Sequence, residues 1–244
     1  MMSSPSDPST LAHGPFLTWL ERWHSDLPSL SISRDLIGPA GGPEHVGVVV
    51  VDLLAGFCSR GALASPRVGA LGPQVAQFLT ALHEAGVRQF AVGRDSHVPD
   101  APEFAAFPPH CLCGSEEAEE ISEIRALPFH AEMAQFPKNS LNVGLEPPFG
   151  EWVAGRPEVN TWVVMGDCTD LCIYQAAMHL RLDANARGVS RAVWVPGSLV
   201  DTYDLPVATA EQLGALPHDG DLLHRIFLYH LALNGVRVAG EWSP

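Results

Sequence analysis

The chain has 244 residues, 46% of them hydrophobic and 17% charged, enough for one full core and closer to a single α/β domain than to two. Its net charge of −14 excludes a general nucleic-acid binder, because no basic patch is available to neutralise phosphates. No apolar run reaches spanning length, the opening "MMSSPSDPSTLAHG" lacks the regions of a secretion signal, and five cysteines, an odd number, suggest no disulfide framework; a cytoplasmic chain with no membrane partner is expected.

The Ser/Pro-rich first twelve residues are expected to be disordered. "FLTWLERWHSDL" sets Phe16, Leu17, Leu20 and Trp23 on one helical face. Residues 1–40 therefore read as an N-terminal extension with one helix, "RDLIGPAGGPEH" (34–45) as a linker, and 41–244 as the domain. "HVGVVVVDLL" is a nearly continuous β-branched run, as in a central parallel strand covered on both faces. Residues 72–85 carry Val75, Phe78, Leu79 and Leu82 at helical spacing, with Gly86 as the stop. "VRQFAVGRD" predicts the second strand, 115–125 a helix, and "AQFPK" a short third strand. A fourth strand is expected over 162–166, followed by a helix from about 170 to 187 that stops at Gly188. "RAVWVP" (191–196) predicts a fifth strand, then a late helix capped at Asp219 or Asp221 and ended by Gly235, and "VRVAG" a sixth. This alternation predicts a single three-layer α/β domain: a six-stranded, mainly parallel sheet with helices on both faces.

In such a sheet, ligands bind beyond the carboxyl ends of the strands. Strand one ends in Asp52, strand two in Arg94-Asp95-Ser96-His97, strand three in Lys138, and strand four leads into Cys168 and Cys172. Of 14 basic residues Lys138 is the only lysine. A compact ammonium is what a lone Lys supplies and Arg cannot, although a surface leftover is the bland alternative. Cys172 falls in the first turn of its helix if Thr169 or Asp170 is the N-cap. Helix N–H groups and Lys138 would then lower its thiol pKa, and Asp52 could accept its proton. A buried small residue is the alternative for this cysteine taken alone. Cys168 sits in the turn, where its N–H is suited to an oxyanion; the CxxxC spacing disfavours a redox pair.

Asp95 and His97, two apart on an extended chain, point the same way, and "DAPEFAAFPPHC" adds Glu103 and His110. Two His and two carboxylates suit one divalent ion, zinc first and iron or manganese as alternatives, on a rim loop outside the core. Cys111 and Cys113 could offer thiolates instead, or pack beneath the loop. The other histidines lack partners at ligand spacing, and "VDTYDLP" (200–206) shows no forced chemistry.

Taken together, "VVVVDLLAGFC", "GRDSHVPDAPEFAAFPPHCLCGS", "FPKNSLN" and "GDCTDLC" resemble the isochorismatase-like cysteine hydrolases, and within them the nicotinamidases, from about residue 46 to 238. The resemblance implies a catalytic triad of Asp52, Lys138 and Cys172. It also implies backbone oxyanion donors at Cys168 and Cys172, a cis peptide at Asp167–Cys168, and metal ligation by Asp95, His97 and His110, with Glu103 completing the set in some relatives. An aromatic at Phe57 belongs to the opening motif, and Phe57 with Phe107 could clamp a flat ring. The expected activity is hydrolysis of a small carboxamide such as nicotinamide through a thioester, by a homo-oligomer. This chain has Ala55-Gly56 where nicotinamidases usually carry Asn-Asp, and Cys-Thr-Asp-Leu-Cys where Ala-Thr-Asp-Tyr-Cys is common. A carbamoyl or aliphatic amide is therefore the second reading, and a non-catalytic metal- or ligand-binding member of the fold the third. Vinyl-ether hydrolysis is disfavoured, because the relatives that perform it lack the nucleophilic Cys.

Overall fold

The computed structural model describes residues 13–243; the Ser/Pro-rich opening stretch lies outside them. Seven strands form the main sheet, the two-residue Val200–Asp201 beside one strand's end and six along its path: Val46–Val51 (β1), Gln89–Asp95 (β2), Ala134–Lys138 (β3), Thr161–Asp167 (β4), Ala192–Pro196 (β5) and Arg237–Ala239 (β6). They lie in the order β3-β2-β1-β4-β5-β6, every pairing parallel. The chain winds outward from β1 to β3 and then restarts on the other side of β1 at β4. The switch point therefore lies between the carboxyl ends of β1 and β4, where such sheets place their ligands.

Both central strands are buried along their whole length, and the alternation of their side chains decides which layer each residue feeds. Val46, Val48 and Val50 pack with Val75, Phe78, Leu79 and Leu82 of Leu71–Glu84 (labelled α2 below). Val49 and Val51 pack on the other face with Ile173, Ala176, Ala177 and Leu180 of the long helix Cys172–Arg187, and with Leu228 and Leu231 of Gly220–Leu233. In chain order the α-helices of eight residues or more among the described residues are Gly14–Ser25 (α1), Leu71–Glu84 (α2), Pro147–Ala154 (α3), Cys172–Arg187 (α4) and Gly220–Leu233 (α5). Each fully buried aliphatic side chain in these layers contributes about 1.5–3 kcal/mol. Two glycines permit the central pair to close. A Cβ on Gly47 would meet the Trp162 ring at 2.6 Å, and one on Gly166, whose φ is +118°, would lie 1.9 Å from the Val51 carbonyl oxygen. No helix among the described residues is long and apolar enough to cross a membrane.

Several local expectations need correction. Residues 34–45 are folded: Ile32–Ile37 forms a π-helical turn, and Leu30, Ile32, Leu36 and Ala40 enter the α2-side core. Leu30–Ser31 also pairs with Trp242–Ser243 near the other end of the chain. No continuous helix covers 115–125; a 3₁₀ turn at Glu116–Ala118 and one helical turn at Ser122–Arg125 stand there, because Leu54 and Glu120 bridge between them and hold the chain extended. Helix α1 packs on α5, Leu20 buried and its aromatics set edge-on around Tyr229, but Phe16 stays 43% exposed. Residues 200–206 include a short strand, Val200–Asp201, which extends the end of β4. Asp219, not Asp221, caps α5, accepting from the Leu222 N–H at 2.9 Å.

Candidate active site

Strand register brings the chemistry together. Asp95 at the end of β2 lies opposite Lys138 at the end of β3. Asp52 follows β1, with its N–H on the Gly93 carbonyl and φ at +56°. That left-handed backbone costs a non-glycine residue about 1–3 kcal/mol and turns the side chain into the site. There its Oδ1 accepts from the Asp95 N–H at 2.8 Å. Lys138 Nζ lies 2.7 Å from Asp52 Oδ2, 2.5 Å from Asp95 Oδ1 and 3.5 Å from Cys172 Sγ. One oxygen from each carboxylate and the Cys172 sulfur lie within 4.8 Å of one another. With the Lys138 ammonium among them, these acceptor atoms already have a cation beside them.

Lys138 is only 1% exposed, not the exposed rim charge its place at a strand end suggested. Burial alone would lower its pKa, yet Asp52 and Asp95 hold it well above the usual lysine range, so it is a fixed cation. Burial and the nearby Asp95 charge push Asp52 up to about 6. The Cys172 thiol departs from expectation. Burial pushes it well above the ordinary range, and the opposing pull of Lys138 is outweighed. The N-cap is also different: helix α4 begins at Cys172 itself after Leu171, with no side-chain cap from Thr169 or Asp170. A neutral thiol beside a carboxylate raised toward neutrality is an arrangement in which the acid can accept the thiol proton. The peptide Asp167–Cys168 is cis. Neither the Cys168 nor the Cys172 N–H donates to a backbone acceptor among the described residues, so both are available to an incoming oxygen.

The second cluster adjoins the first through Asp95, whose Oδ1 serves Lys138 while Oδ2 lies 3.4 Å from His97 Nε2 and 3.6 Å from His110 Nε2. Glu103 Oε1 is 3.9 Å from His97 Nε2, and one donor atom from each of these four residues falls within a 4.8 Å group. His110 Nδ1 faces the Pro108 carbonyl at 2.9 Å, which can only accept. Nδ1 therefore carries the proton and Nε2 presents a lone pair to the cluster. Asn139 Oδ1 takes the Val98 N–H and faces His97 Nδ1 at 3.2 Å, fixing that ring the same way. His97 Nε2 and Glu103 Oε1 are buried without a hydrogen-bond partner, which fits a divalent ion held by Asp95, His97, Glu103 and His110. These ligands are not on a solvated rim; His97 and Asp95 are among the most buried polar residues. Cys111 turns its sulfur to the Glu117 carbonyl at 3.5 Å and Cys113 is exposed, so neither joins the cluster.

Between the two clusters lies a narrow, mainly apolar cavity of about 30 Å³, lined by Phe57, Leu63, Phe107, Leu141 and Leu171 together with Asp167, Cys168 and Cys172. Phe57 and Phe107 thus both reach the place where a substrate would sit. Sequence reasoning missed Asn139, whose asparagine beside the lone lysine was a usable signal. It also missed the pairing of His218 Nε2 with Asp170 Oδ2 at 2.8 Å, which braces the turn before Cys172 from 48 residues away in sequence and left no local pattern. His130 likewise pairs with Glu120 at 2.8 Å, and neither His130 nor His218 belongs to a metal-ligand group among the described residues. Asp167 was noted only as one side of a cis bond.

Fold and site together define an isochorismatase-like hydrolase. The isochorismatase domain matches residues 46–209, and the chain belongs to that family. It is 30% identical over 216 residues to Nicotinamidase 1 of Arabidopsis thaliana, covering 82% of this chain and 87% of that protein. Among solved structures it is similar to the pyrazinamidase of Pyrococcus horikoshii in complex with zinc, at TM-score 0.62 and 18% identity, over 80% of this chain and 99% of that one. It is also similar to the N-carbamoylsarcosine amidase of Thermoplasma acidophilum, at TM-score 0.57 and 21% identity, over 80% and 95%.

Proposed function

We propose that the protein is a cysteine amidohydrolase that cleaves a small, flat carboxamide such as nicotinamide to the acid and ammonia. The observation that carries this reading is the placement of Lys138 Nζ between two carboxylates and 3.5 Å from the sulfur of Cys172, a residue that lines an apolar cavity.

Asp52 takes the Cys172 proton as the sulfur attacks the amide carbon, so the thiolate exists only as it reacts. Lys138 stabilises the negative charge that develops on sulfur and keeps Asp52 oriented. The Cys168 and Cys172 N–H groups receive the carbonyl oxygen as it becomes an oxyanion. Asp52 then returns its proton to the departing nitrogen, and ammonia leaves a thioester on Cys172. Water, deprotonated by Asp52, cleaves that thioester and frees the acid. A divalent ion on Asp95, His97, Glu103 and His110 would supply a Lewis acid toward a ring nitrogen, and the zinc in the Pyrococcus relative favours zinc. Phe57 and Phe107 suit the faces of a planar ring, while Leu63, Leu141 and Leu171 exclude water.

The carbamoyl reading is weaker. A carbamoyl amino acid carries a carboxylate, and the cavity wall offers acids at Asp95, Glu103 and Asp167 but no arginine. A non-catalytic role would be marked by a lost triad member, and none is lost. Ammonia release from nicotinamide, pyrazinamide, a carbamoyl amine and an aliphatic amide tests the reading. Fastest release from an aromatic amide supports it; release from the carbamoyl or aliphatic compound alone would overturn it.

A further inference from the structure

The end of the sheet away from Cys172 gathers cations, in a chain whose net charge is −14. A cavity of about 440 Å³ opens at the amino ends of β4, β5 and β6, where Thr161, Ala192 and Arg237 begin their strands. Three of the chain's 14 basic residues, Arg181, Arg191 and Arg237, line it, and no carboxylate does. Its wall is mostly polar and includes Asn160, Thr161 and Ser190. The positive charge there is largely uncancelled. Arg181 donates to the Arg191 carbonyl and to Asn185 Oδ1, both uncharged acceptors. These bonds fix the plane of its guanidinium and leave its charge unpaired. Arg191 Nη1 reaches Asp183 at 3.0 Å, but that carboxylate also holds Arg187 at 2.6 Å. Arg237 stands over the Trp194 ring, 5.4 Å from its centroid, and reaches no carboxylate among the described residues. Guanidiniums gathered without acids leave a positive potential that a bound anion neutralises. The Ser190 and Arg191 N–H groups, in the stretch between α4 and β5, donate to no backbone acceptor among the described residues.

We propose that this cavity is a binding site for a phosphorylated small molecule, its phosphoryl group held by Arg191 and Arg237 in the field of Arg181. The three cations come from three places in the chain, α4, the stretch before β5 and the start of β6. A tetrahedral phosphoryl group offers oxygens in several directions to such forks, whereas a planar carboxylate offers two in one plane. The volume falls within the range of about 300–1,000 Å³ common to small-molecule sites. A nucleic-acid backbone would need a basic track, which a chain of this net charge lacks. The seven residues of β4, about 20 Å of strand, separate this site from Cys168 and Cys172, so the inference is independent of the amidohydrolase reading.

The test is calorimetric titration of the full chain, at low ionic strength, with inorganic phosphate, inorganic diphosphate, glycerol 3-phosphate and citrate. Wild type is compared with Arg237→Gln and Arg22→Gln. Arg237 is exposed, so its removal leaves the fold in place. Arg22, on the exposed face of α1, removes the same charge elsewhere. The expected result is about one diphosphate or glycerol 3-phosphate bound per chain, more tightly than citrate. Affinity should weaken about tenfold in Arg237→Gln and change by about twofold at most in Arg22→Gln. No binding of any phosphate compound would overturn the proposal. An affinity unchanged in Arg237→Gln would overturn it too, by placing the anion elsewhere, as on an ion at the Asp95, His97, Glu103 and His110 cluster. Equal weakening in both variants would reduce the effect to overall charge, and citrate bound as tightly as diphosphate would remove the phosphoryl assignment.

Discussion

Lys138→Arg exchanges the only lysine for the residue that carries every other basic position in the chain. Were the lysine incidental, the exchange would be silent. Its ammonium instead occupies a point 2.7 Å from Asp52 Oδ2, 2.5 Å from Asp95 Oδ1 and 3.5 Å from Cys172 Sγ. A longer, planar guanidinium cannot place one charge at that point. The site has no solvent to receive the extra atoms, and overpacking a buried position costs about 1–3 kcal/mol. Displacing the cation would also leave one of two buried carboxylates short of its partner, in a setting where a broken pair costs about 3–5 kcal/mol. We expect a stability loss of about 2–4 kcal/mol, between retention of one ion pair and loss of both. Turnover should fall further. Losing a positioned electrostatic group at the reacting atoms costs about 3 kcal/mol of barrier, or about 150-fold. Urea unfolding followed by fluorescence gives the stability, and coupled detection of ammonia gives the turnover. Equal turnover and an equal unfolding midpoint in the variant would refute the placement of Lys138 as the shared cation of the site.

Because Asp52 must be ionised to take the thiol proton, and burial beside Asp95 raises it to about 6, kcat/KM should fall as pH drops through about 6; a flat profile from 5 to 8 (roughly the range in which a shifted carboxyl would show) would count against Asp52 as the base. His97→Ala should reduce the divalent metal content from about one per chain to near none by mass spectrometry, and retention of the full complement would discard the four-residue ligand set. The same change should lower the melting temperature, since His97 is fully buried. Gly166→Ala forces a Cβ to 1.9 Å from the Val51 carbonyl oxygen at a φ of +118°; it should lose more than about 3 kcal/mol, and a wild-type urea midpoint would show that the central strands are not so closely joined.

Much of the fold was legible because its signals are local. The valine run before Asp52, the β-branched stretch before Gly166 and the helical spacing of Val75, Phe78, Leu79 and Leu82 each declare their element within a few residues. The rule that ligands bind beyond strand carboxyl ends then groups Asp52, Asp95, Lys138 and Cys172 from the sequence alone. Depth was not legible. Whether Lys138 is exposed depends on β1, β2 and β3 closing around it, and the pKa of Cys172 depends on how far burial outweighs that cation. The acidic stretch 115–125 has fair helical propensity, but pairing of Glu120 with Leu54 overrides it. A two-residue strand at Val200–Asp201 is too short to show a period, and Leu36 and Ala40 look like linker residues until they enter the α2-side core. Asp167 carries no motif of its own. Only the fold shows that its carboxyl is buried with one oxygen unpartnered.

The central claim is that Cys172 carries the acyl group, and the most direct measurement is a rapid acid quench of the enzyme during turnover of its best aromatic amide, followed by peptide mass analysis. The expected result is an acyl adduct on the peptide containing Cys172, absent from Cys172→Ala, which should also release no ammonia above background. Ammonia release by Cys172→Ala at the wild-type rate, or an adduct on another cysteine such as the exposed Cys113, would contradict it.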